Sequence, residues 1–536
     1  MNQNNIKSLK KFDAKVLAII IVELFFFNWL GAQHTNVFIG NKNAPNEPSI
    51  CINPQNTNQM VAAANIDNVY YSKDAGANWT QVSLSCPWGI WGDPVLAVDT
   101  AGAFYFIHLS NPPAPGNWID RIISQKSLDG GKTWSQGSFT GLNGNKAQDK
   151  HWISVDKNTN ALYLSWTQFD KYGSNKSTDS SNILFSKSID GGESWTLAKR
   201  INKLGGDCVD SDNTAEGAVP CIGPEGQIYI AWSNQNKIWF DRSSDKGETW
   251  LNEDIFITEQ PGGWDYNIPG IYRANGLPFT TCDLSNGPHH GTIYVNWSDQ
   301  RNGENDTDIW LAKSKDGGNT WTPPVKVNND GGNAHQFFTN MAIDQATGWL
   351  WFVFYDRRNY SNENTDVYMA LSKDGGETFL NFKISESAFF PSSNFFFGDY
   401  TGISVHNNIV RPIWTRLSGN ELSVWTALVN PDAIATAIQE SSSPLAPTIE
   451  NPYPNPSSNS SGFSFKLRKK SMVSLWIADL QGNKLNVILN NEVRAGGKYL
   501  EKIDTNSLNL KSGTYFIVLS IDGKQMSKQL MVVDKA

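Results

Sequence analysis

Short apolar runs separated by polar turns recur between residues 35 and 430, and this pattern predicts β-strands. Runs such as Ile183–Phe185 and Asp308–Leu311 are each followed by a turn and then by another run. One motif, Ser-x-Asp-x-Gly-x-x-aromatic, stands at six of these turns. Its copies are Ser72–Trp79, Ser127–Trp134, Ser188–Trp195, Ser243–Trp250, Ser314–Trp321 and Ser372–Phe379.

The spacing of the motif predicts the architecture. Its aspartates are 55, 61, 55, 71 and 58 residues apart, and they are Asp74, Asp129, Asp190, Asp245, Asp316 and Asp374. This interval fits one four-stranded antiparallel blade with loops of variable length, so the spacing predicts a β-propeller. The motif resembles the Asp-box (BNR) repeat of the sialidase superfamily. We expect it on the hairpin between a blade's third and fourth strands, where its carboxylate serves a structural role by accepting turn amides.

Aligned repeats also show where the innermost strand of each blade begins. Seven such segments are present: Glu47–Cys51, Asp93–Ala97, His151–Val155, Glu216–Cys221, Asn275–Phe279, Phe338–Ala342 and Asp399–Ile403. The last leads three strands and no motif, so its blade lacks a fourth strand. The N-terminal run Thr35–Ile39 can supply that strand and close the ring. We predict seven blades, with six as the alternative.

The two ends of the chain have different compositions from the propeller. Residues 1–32 combine lysines, the apolar run Val16–Leu30 and the pair Gly31-Ala32, a pattern typical of a secretory signal peptide. We assign the propeller to residues 33–432. A Ser- and Pro-rich linker follows at residues 433–447, and a small β-patterned domain, predicted as a β-sandwich, covers residues 448–536.

The C-terminal domain carries a recognisable set of motifs: Asn451–Pro456, Leu475–Gly482, Ala495–Gly497 and Ser512–Tyr515. They resemble the C-terminal sorting domain of the type IX secretion system of Bacteroidetes. The resemblance implies that the tail engages that secretion machinery and that the protein is exported, either released or held at the outer cell surface. An ordinary immunoglobulin-like accessory module is the alternative.

Charge and composition limit the classes of molecule that the protein is expected to bind. The formal net charge is −8 and there is no basic stripe, which argues against nucleic acid. Twenty-one tryptophans exceed what the repeated motif needs, and some of them suit stacking on sugar faces as well as core packing, among them Trp88, Trp91, Trp264 and Trp414. We expect a monomer. Five cysteines cannot all pair; a Cys51–Cys86 or a Cys208–Cys221 disulfide is left open, and neither is predicted.

Polar residues cluster where the inner strands begin, on the same propeller face as the loops between second and third strands. The strand starts contribute Glu47, Asp93, Asp149, Lys150, His151, Glu216, Arg273, Gln336, Asp399 and Tyr400. The loops add Arg301, Arg358 and Arg416, with Trp414 beside the last. Arginines bind a substrate carboxylate bidentately, and a carboxylic acid can protonate a leaving oxygen. This face is therefore predicted to bind an acidic glycan.

The superfamily resemblance implies specific roles. In sialidases three arginines hold the substrate carboxylate, a tyrosine assisted by a glutamate attacks the anomeric carbon, and an aspartate is the acid/base. Here Arg301, Arg358 and Arg416 would be the arginines, Tyr400 the nucleophile, Glu216 its partner and Asp93 the acid/base. The Arg-Ile-Pro signature of the first blade is absent, because the first arginine in the chain is Arg121.

Three functions remain open at this point. A secreted sialidase-like glycoside hydrolase is the leading interpretation. A polysaccharide lyase, with His151 or Tyr400 removing the proton beside a carboxylate, and a non-catalytic glycan-binding propeller are the alternatives. No cofactor is predicted, although Asp207, Asp210 and Asp212 lie close together in the sequence and offer ligands of the type that Ca²⁺ prefers.

Overall fold

A computed structural model of the protein describes residues 34–431, 434, 448–467, 470–480 and 482–534. The predicted signal peptide, residues 1–32, and almost all of the predicted linker lie outside the described residues. The chain forms two compact units, Met1–Pro431 and Asp432–Ala536. Among the residues that the structure describes, no helix is long and apolar enough to cross a membrane.

The described part of the first unit is a β-propeller, as the motif spacing predicted. Its first strand is β1 (His34–Gly40). Blade one contains β2 (Ser49–Ile52), β3 (Met60–Ala64), β4 (Asn68–Ser72) and β5 (Thr80–Ser83). Blade two contains β6 (Gly92–Val98), β7 (Phe104–Leu109), β8 (Ile122–Ser127) and β9 (Ser138–Thr140). Blade three contains β10 (Ala147–Val155), β11 (Leu162–Phe169), β12 (Ser181–Ser188) and β13 (Lys199–Arg200).

The remaining blades follow in chain order. Blade four contains β14 (Glu216–Ile222), β15 (Ile228–Asn234), β16 (Lys237–Ser243) and β17 (Ile255–Glu259), after which β18 (Asp265–Tyr266) and β19 (Ala274–Asn275) pair in a loop. Blade five contains β20 (Phe279–Cys282), β21 (Ile293–Asp299), β22 (Asp308–Ser314) and β23 (Val325–Lys326). Blade six contains β24 (Gln336–Asp344), β25 (Trp349–Asp356), β26 (Asp366–Ser372) and β27 (Leu380–Lys383).

The seventh sheet combines both ends of the propeller chain. It contains β28 (Gly402–His406), β29 (Ile409–Ser418) and β30 (Glu421–Val429), with β1 as its outer strand. Strand β1 runs antiparallel to β30, with His34 opposite Val429 and Phe38 opposite Trp425. Within residues 34–431 there are thus seven four-stranded sheets, and their inner strands contact one another in a closed ring. Pairing with β1 leaves β30 no free edge.

Large apolar side chains fill the space between blades. Five fully buried tryptophans come one each from the second strands of blades three to seven, and they are Trp166, Trp232, Trp297, Trp351 and Trp414. Burial of such aromatic surface is the main stabilising term in a structure whose strands are short. Trp414 and Trp264 were candidates for sugar stacking, but both are buried, with Trp414 fully inaccessible.

The repeated motif forms the same turn in all six copies. The serine hydroxyl donates a hydrogen bond to the aspartate Oδ1 at 2.7–2.9 Å. The same hydroxyl accepts a hydrogen bond from the N–H of the motif glycine, four residues later, at 2.8–2.9 Å. Backbone amides further along the turn also donate to that carboxylate, for example Ser194 N to Asp190 at 3.0 Å. These bonds hold the turn between the third and fourth strands, and other motif atoms contact the neighbouring blade, as where Trp195 Nε1 donates to Ser138 Oγ at 2.9 Å.

The second unit is a small β-sandwich. One sheet contains β31 (Thr448–Ile449), β32 (Ser460–Leu467) and β35 (Gly497–Asp504), and the other contains β33 (Ser471–Ala478), β34 (Lys484–Arg494), β36 (Gly513–Ile521) and β37 (Lys524–Val532). A core that includes Phe463, Leu475 and Ile517 lies between the two sheets. Alternating burial along β32 and β36 follows from this one-sided packing.

Candidate active site

A cavity of about 420 Å³ lies on the face where the inner strands begin. Strand starts of blades one to three supply Glu47, Asp93, Asp149 and Lys150 to its lining. Loops between second and third strands of the same blades supply further lining residues, namely Asn65, Ile66, Trp118 and Tyr172. Each blade's third strand runs from this face to the repeated motif, so the motif lies at the opposite end of the blade.

An unusual backbone conformation directs the side chains into the cavity. Glu47, Asp93 and Lys150 all have positive φ, at 51°, 51° and 48°. In blades two and three this residue lies within a β-bulge, where the register shifts between Gly92 and Val95 and between Asp149 and Trp152. Bulges turn side chains away from the regular alternation, and non-glycine residues with positive φ are strained positions that concentrate at functional sites.

Gly92 permits a close contact that shapes the cavity. A Cβ at this position would lie 2.3 Å from Asn65 Oδ1, and its φ is 122°. Without that atom, Asn65 Oδ1 accepts a hydrogen bond from the Asp93 N–H at 2.7 Å. The Asn65 amide also donates to Asn46 Oδ1 at 3.0 Å and to Glu47 Oε2. One asparagine therefore joins the strand starts of blades one and two.

The carboxyl groups of Glu47 and Asp93 lie side by side and differ in protonation. Burial, together with the charges of Asp93 and Asp399, raises the pKa of Glu47 well above its usual range. Burial would also raise the pKa of Asp93, but Lys150 and the hydrogen bond from Glu47 hold that pKa below its usual value. Glu47 therefore retains its proton to a higher pH than Asp93 does.

A third carboxyl group of the cavity titrates near neutrality. Burial raises the pKa of Asp149 to about 7, against the opposing charge of Lys150 and with further upward shifts from Asp93 and Asp210. Its Oδ1 accepts the Lys150 N–H at 2.8 Å. Asp149 is therefore able both to give and to accept a proton close to neutral pH.

Two cations hold the ionised carboxylates. Lys150 Nζ lies 2.8 Å from Asp399 Oδ2 and 3.3 Å from Asp93 Oδ2. Arg273 binds Asp399 through Nε at 3.0 Å and through Nη2, and its Nη1 lies 3.5 Å from Asp210 Oδ2. These charges hold the pKa of Asp399 far below its usual range despite burial. The same Asp210 oxygen accepts from Tyr172 Oη at 2.5 Å.

Three predicted site residues, His151, Glu216 and Tyr400, are buried next to this cluster and make few polar contacts. Burial lowers the pKa of His151 to about 4, so its imidazole is neutral at pH 7. Both Glu216 carboxyl oxygens are buried without a hydrogen-bond partner among the described residues, and burial raises the pKa of Glu216 well above its usual range. The Tyr400 ring packs 5.5 Å from Trp152, and its buried hydroxyl also has no partner among the described residues.

Aromatic side chains form both sides of the cavity mouth. Trp91 and Trp118 are each about two fifths exposed, with ring centroids 5.6 Å apart, and Trp118 continues to Tyr172 at 5.3 Å. Phe396 lines the opposite side, where it packs 6.1 Å from the exposed ring of Tyr272. Exposed rings at the mouth of a polar cavity suit the apolar faces of sugars.

The structure brings together the predicted Asp93, His151, Glu216, Arg273, Asp399 and Tyr400, and it leaves five other predicted residues elsewhere. Arg301 pairs with Asp299 and stacks on Trp310 at 4.5 Å, and Arg358 pairs with Asp356 and stacks on Tyr368 at 4.4 Å. Arg416 lies 5.1 Å from the Trp425 ring and donates to Ser387. Trp414 belongs to the hydrophobic core. Gln336 accepts a hydrogen bond from Asn328 and donates one to Asp356 of blade six.

The reason for this separation is the position of the cavity around the ring. Arg301 and Arg358 lie in the second-to-third loops of blades five and six, whereas the second-to-third loops that line the cavity belong to blades one to three. Arg416 was predicted in such a loop, but it lies within strand β29, opposite Ser423. The residues that sequence reasoning missed are Asn65, Trp118 and Tyr172, in the loops of blades one to three. Their position was a signal, but their uncharged side chains did not stand out.

The possible Ca²⁺ ligands do not converge. Asp210 is bound to Arg273 and Tyr172, Asp212 accepts the Asp265 N–H at 2.8 Å, and Asp207 accepts from Thr214 at 2.8 Å. In the described part of the chain, no group of three or more His, Cys, Asp or Glu residues could hold a metal ion. All five cysteines are free thiols.

Comparison with known proteins identifies the tail. Residues 451–533 match the family model of the secretion system C-terminal sorting domain. The sorting tail predicted from sequence is thereby confirmed, and the protein is a type IX secreted protein, exported to the cell surface or the extracellular space.

The propeller has more distant relatives. A xyloglucanase from a Paenibacillus species is 27% identical over 235 residues, which is 43% of this chain and 20% of that protein. The match thus spans a fifth of that relative's length. Among solved structures, a PL25 ulvan lyase superposes with a TM-score of 0.47 and 11% identity, over 73% of this chain and 95% of that one. Trypanosoma rangeli sialidase superposes with a TM-score of 0.42 and 10% identity, over 93% and 89%.

Proposed function

We propose that the propeller is a secreted glycoside hydrolase and that the cavity over blades one to three is its active site. One observation carries the proposal. An ionised carboxylate, Asp93, lies in the same cavity as two carboxyl groups that hold protons at higher pH, Glu47 and Asp149. Pairs of carboxyl groups with separated pKa values supply the acid and the base of one reaction.

Hydrolysis of a glycosidic bond requires these two roles. A carboxylic acid protonates the departing oxygen, while a carboxylate attacks the anomeric carbon or activates a water molecule. We assign proton transfer to Asp149, because its pKa of about 7 lets it cycle between both forms. Asp93 is assigned as the carboxylate, and Lys150 and Glu47 keep it ionised.

The proposal is for a glycosidase and is not specifically for a sialidase. The sialidase interpretation needs three guanidinium groups, but of the described arginines only Arg273 lines the cavity. It also needs a tyrosine nucleophile. Tyr400 contacts Trp152 and Phe279 within an apolar cluster, and burial together with the nearby carboxylates raises its pKa well above the usual range. A tyrosine whose phenolate is disfavoured in this way is a poor nucleophile.

The sorting tail supports this assignment indirectly. Export to the cell surface or beyond brings a protein to extracellular polysaccharides, and the name of the Paenibacillus relative, a xyloglucanase, describes such an activity. The tail itself is expected to engage the type IX machinery. The aromatic mouth of the cavity supports glycan binding as such, which also fits the alternative of a non-catalytic binding propeller.

The deciding experiment compares turnover with binding. The full-length protein is incubated with neutral polysaccharides, uronate polysaccharides and sialosides, and reducing ends, aglycone release and unsaturated uronates are followed. We expect new reducing ends on at least one glycan, lost in Asp93→Asn and Asp149→Asn but kept in the control Glu248→Gln, which alters an exposed carboxylate on the propeller surface. Binding without turnover would favour the binding propeller, and unsaturated ends would favour a lyase.

A further inference from the structure

The cations of the cavity are already bound to carboxylates of the protein. Arg273 uses Nε and Nη2 on Asp399 and directs Nη1 to Asp210, and Lys150 Nζ bridges Asp399 and Asp93. Asp399 is almost completely buried. A substrate carboxylate that took the Arg273 fork would leave this buried charge with Lys150 as its remaining cationic contact, and taking a partner from a buried charge is unfavourable.

The formal charges leave no excess of positive charge for an anionic ligand. Three carboxylates, Asp93, Asp210 and Asp399, face two cations, Lys150 and Arg273. Asp149 adds negative charge as it ionises around neutral pH. An incoming carboxylate would therefore meet net negative charge beside buried groups, where repulsion is less screened than in bulk water.

The groups that remain for a ligand are uncharged. Asn43 lines the cavity on the blade-one side, and the rings of Trp91, Trp118 and Phe396 border it. Amides exchange hydrogen bonds with hydroxyl groups, and aromatic rings cover the C–H faces of a sugar. This lining matches a neutral sugar unit better than a charged one.

We infer that the cavity selects an uncharged sugar unit and rejects sialic and uronic acid units. The inference rests on the proposed function in that the ligand is a glycan. It replaces the acidic glycan expected from sequence, because the arginines that supported that expectation lie outside the cavity.

Matched pairs of glycans test the inference. The full-length protein is assayed for binding and turnover with pairs of glycans of which one member is neutral and the other carries carboxylates: hydroxyethyl- against carboxymethylcellulose, methyl-esterified against de-esterified homogalacturonan, and desialylated against sialylated oligosaccharides. We expect at least tenfold weaker binding of the charged member of any pair that binds. Equal or tighter binding of the charged member, weakened by salt, overturns the inference.

A variant that removes one of the two carboxylate partners of Arg273 provides an independent readout. Asp210→Asn removes the carboxylate beside Arg273 Nη1 and leaves the contact with Asp399 in place, so we expect binding of the carboxylate probe acetate, followed by tryptophan fluorescence, to increase at least tenfold over wild type. The matched control is Asp356→Asn, which releases Arg358 outside the cavity and should leave acetate binding unchanged.

The two readouts separate the possible failures. A gain of acetate binding in Asp210→Asn, with no glycan bound by any form, would reject the proposed function while supporting the charge argument. Wild-type protein that already binds acetate as tightly as Asp210→Asn, in the cavity and in competition with a glycan, would overturn the charge argument whatever the protein's activity.

Discussion

The buried carboxylate of Asp399 forms an ion pair with the partly exposed Arg273 across the propeller, although the two residues are 126 positions apart in the chain. Arg273 precedes the inner strand of blade five, and Asp399 precedes the inner strand of blade seven. The Oδ2 atom of Asp399, which contacts Arg273, also contacts Lys150 of blade three. Side chains from opposite parts of the ring thus hold one another in a single arrangement. The electrostatics of the cavity consequently depend on the closed ring and not on any single blade.

Removing the carboxylate of Asp93 should abolish turnover. Asp93→Asn keeps the size of the side chain but removes the charge that acts at the anomeric carbon, so kcat should fall by about 10²–10⁴ while glycan binding stays within about threefold. Steady-state kinetics on the best substrate and affinity electrophoresis measure the two quantities. Residual kcat above a tenth of wild type would exclude Asp93 from the chemistry.

Truncating Trp118 should weaken binding more than chemistry. Its exposed ring forms one side of the cavity mouth beside Trp91, so loss of stacking worth about 0.5–1.5 kcal/mol should raise KM roughly two- to tenfold with little change in kcat. Trp118→Ala is compared with Leu128→Ala, which removes an exposed apolar side chain from a motif turn. An unchanged KM in Trp118→Ala would remove this ring from the binding site.

Asp149 should make the protein less stable as pH rises through the acidic range. Its pKa is about 7 in the folded protein and close to 4 when unfolded, so the folded state binds the extra proton between these values. The free energy of unfolding should therefore decrease as pH rises from about 4 to about 7, by an amount on the order of 3 kcal/mol from this group.

The variant Asp149→Asn isolates that contribution. Asparagine carries no titrating proton but keeps the Oδ1 acceptor for the Lys150 N–H. Denaturant unfolding at pH 4 and pH 8 should show the variant gaining stability relative to wild type at the higher pH. Parallel pH profiles for the two proteins would contradict the assignment of a raised pKa.

The repeated motif should contribute to stability and not to activity. Asp190 accepts hydrogen bonds from Ser188 Oγ and from two backbone amides, on an exposed turn. Asp190→Ala should lower the free energy of unfolding by about 1 kcal/mol and leave glycan turnover unchanged. Glu193→Ala in the same turn is the control, because its side chain is exposed and only its backbone amide takes part. A loss of turnover at full stability would instead make the motif functional.

Gly40 should be intolerant of larger residues. It is the last residue of β1, and a Cβ there would lie 2.5 Å from the ring of the buried Tyr70 in blade one. Gly40→Val should therefore destabilise the propeller by about 1–3 kcal/mol through overpacking. Gly331→Val, at a position with open space around it, should be nearly neutral. Thermal unfolding of the two variants measures the difference.

The periodic part of this protein could be predicted from sequence. The repeated Ser and Asp of the motif form the same local turn wherever they occur, so Ser72–Trp79 and Ser372–Phe379 have the same hydrogen bonds although they are 300 residues apart. The register of the inner strands was predicted correctly for blades one and two, where Glu47 and Asp93 hold equivalent positions with positive φ. In blade three the sequence placed His151 at this position, but the structure places Lys150 there, one residue earlier. Local chemistry and repetition were therefore sufficient for the motif but not for every strand register.

The selection of site residues among equivalent positions was not predictable. Arg301 and Trp118 both lie between a second and a third strand, yet only Trp118 borders the cavity. Arg301 turns back onto Asp299 two residues away and onto the Trp310 ring, which is a contact that its own blade provides. Which blades leave a cavity depends on loop conformations and on pairs such as Asp399 with Arg273, whose partners are distant in sequence.

The pairing of β1 with β30 sets the order of events when the protein is made. His34 lies opposite Val429, so the first strand of the propeller has no partner until the last one has been synthesised. Strand β1 must therefore remain without its partner strand while blades one to six are synthesised, because the ring of blades closes only when β30 is present. The sorting domain follows shortly after β30, so the signal for export across the outer membrane is completed only after every strand of the ring is present.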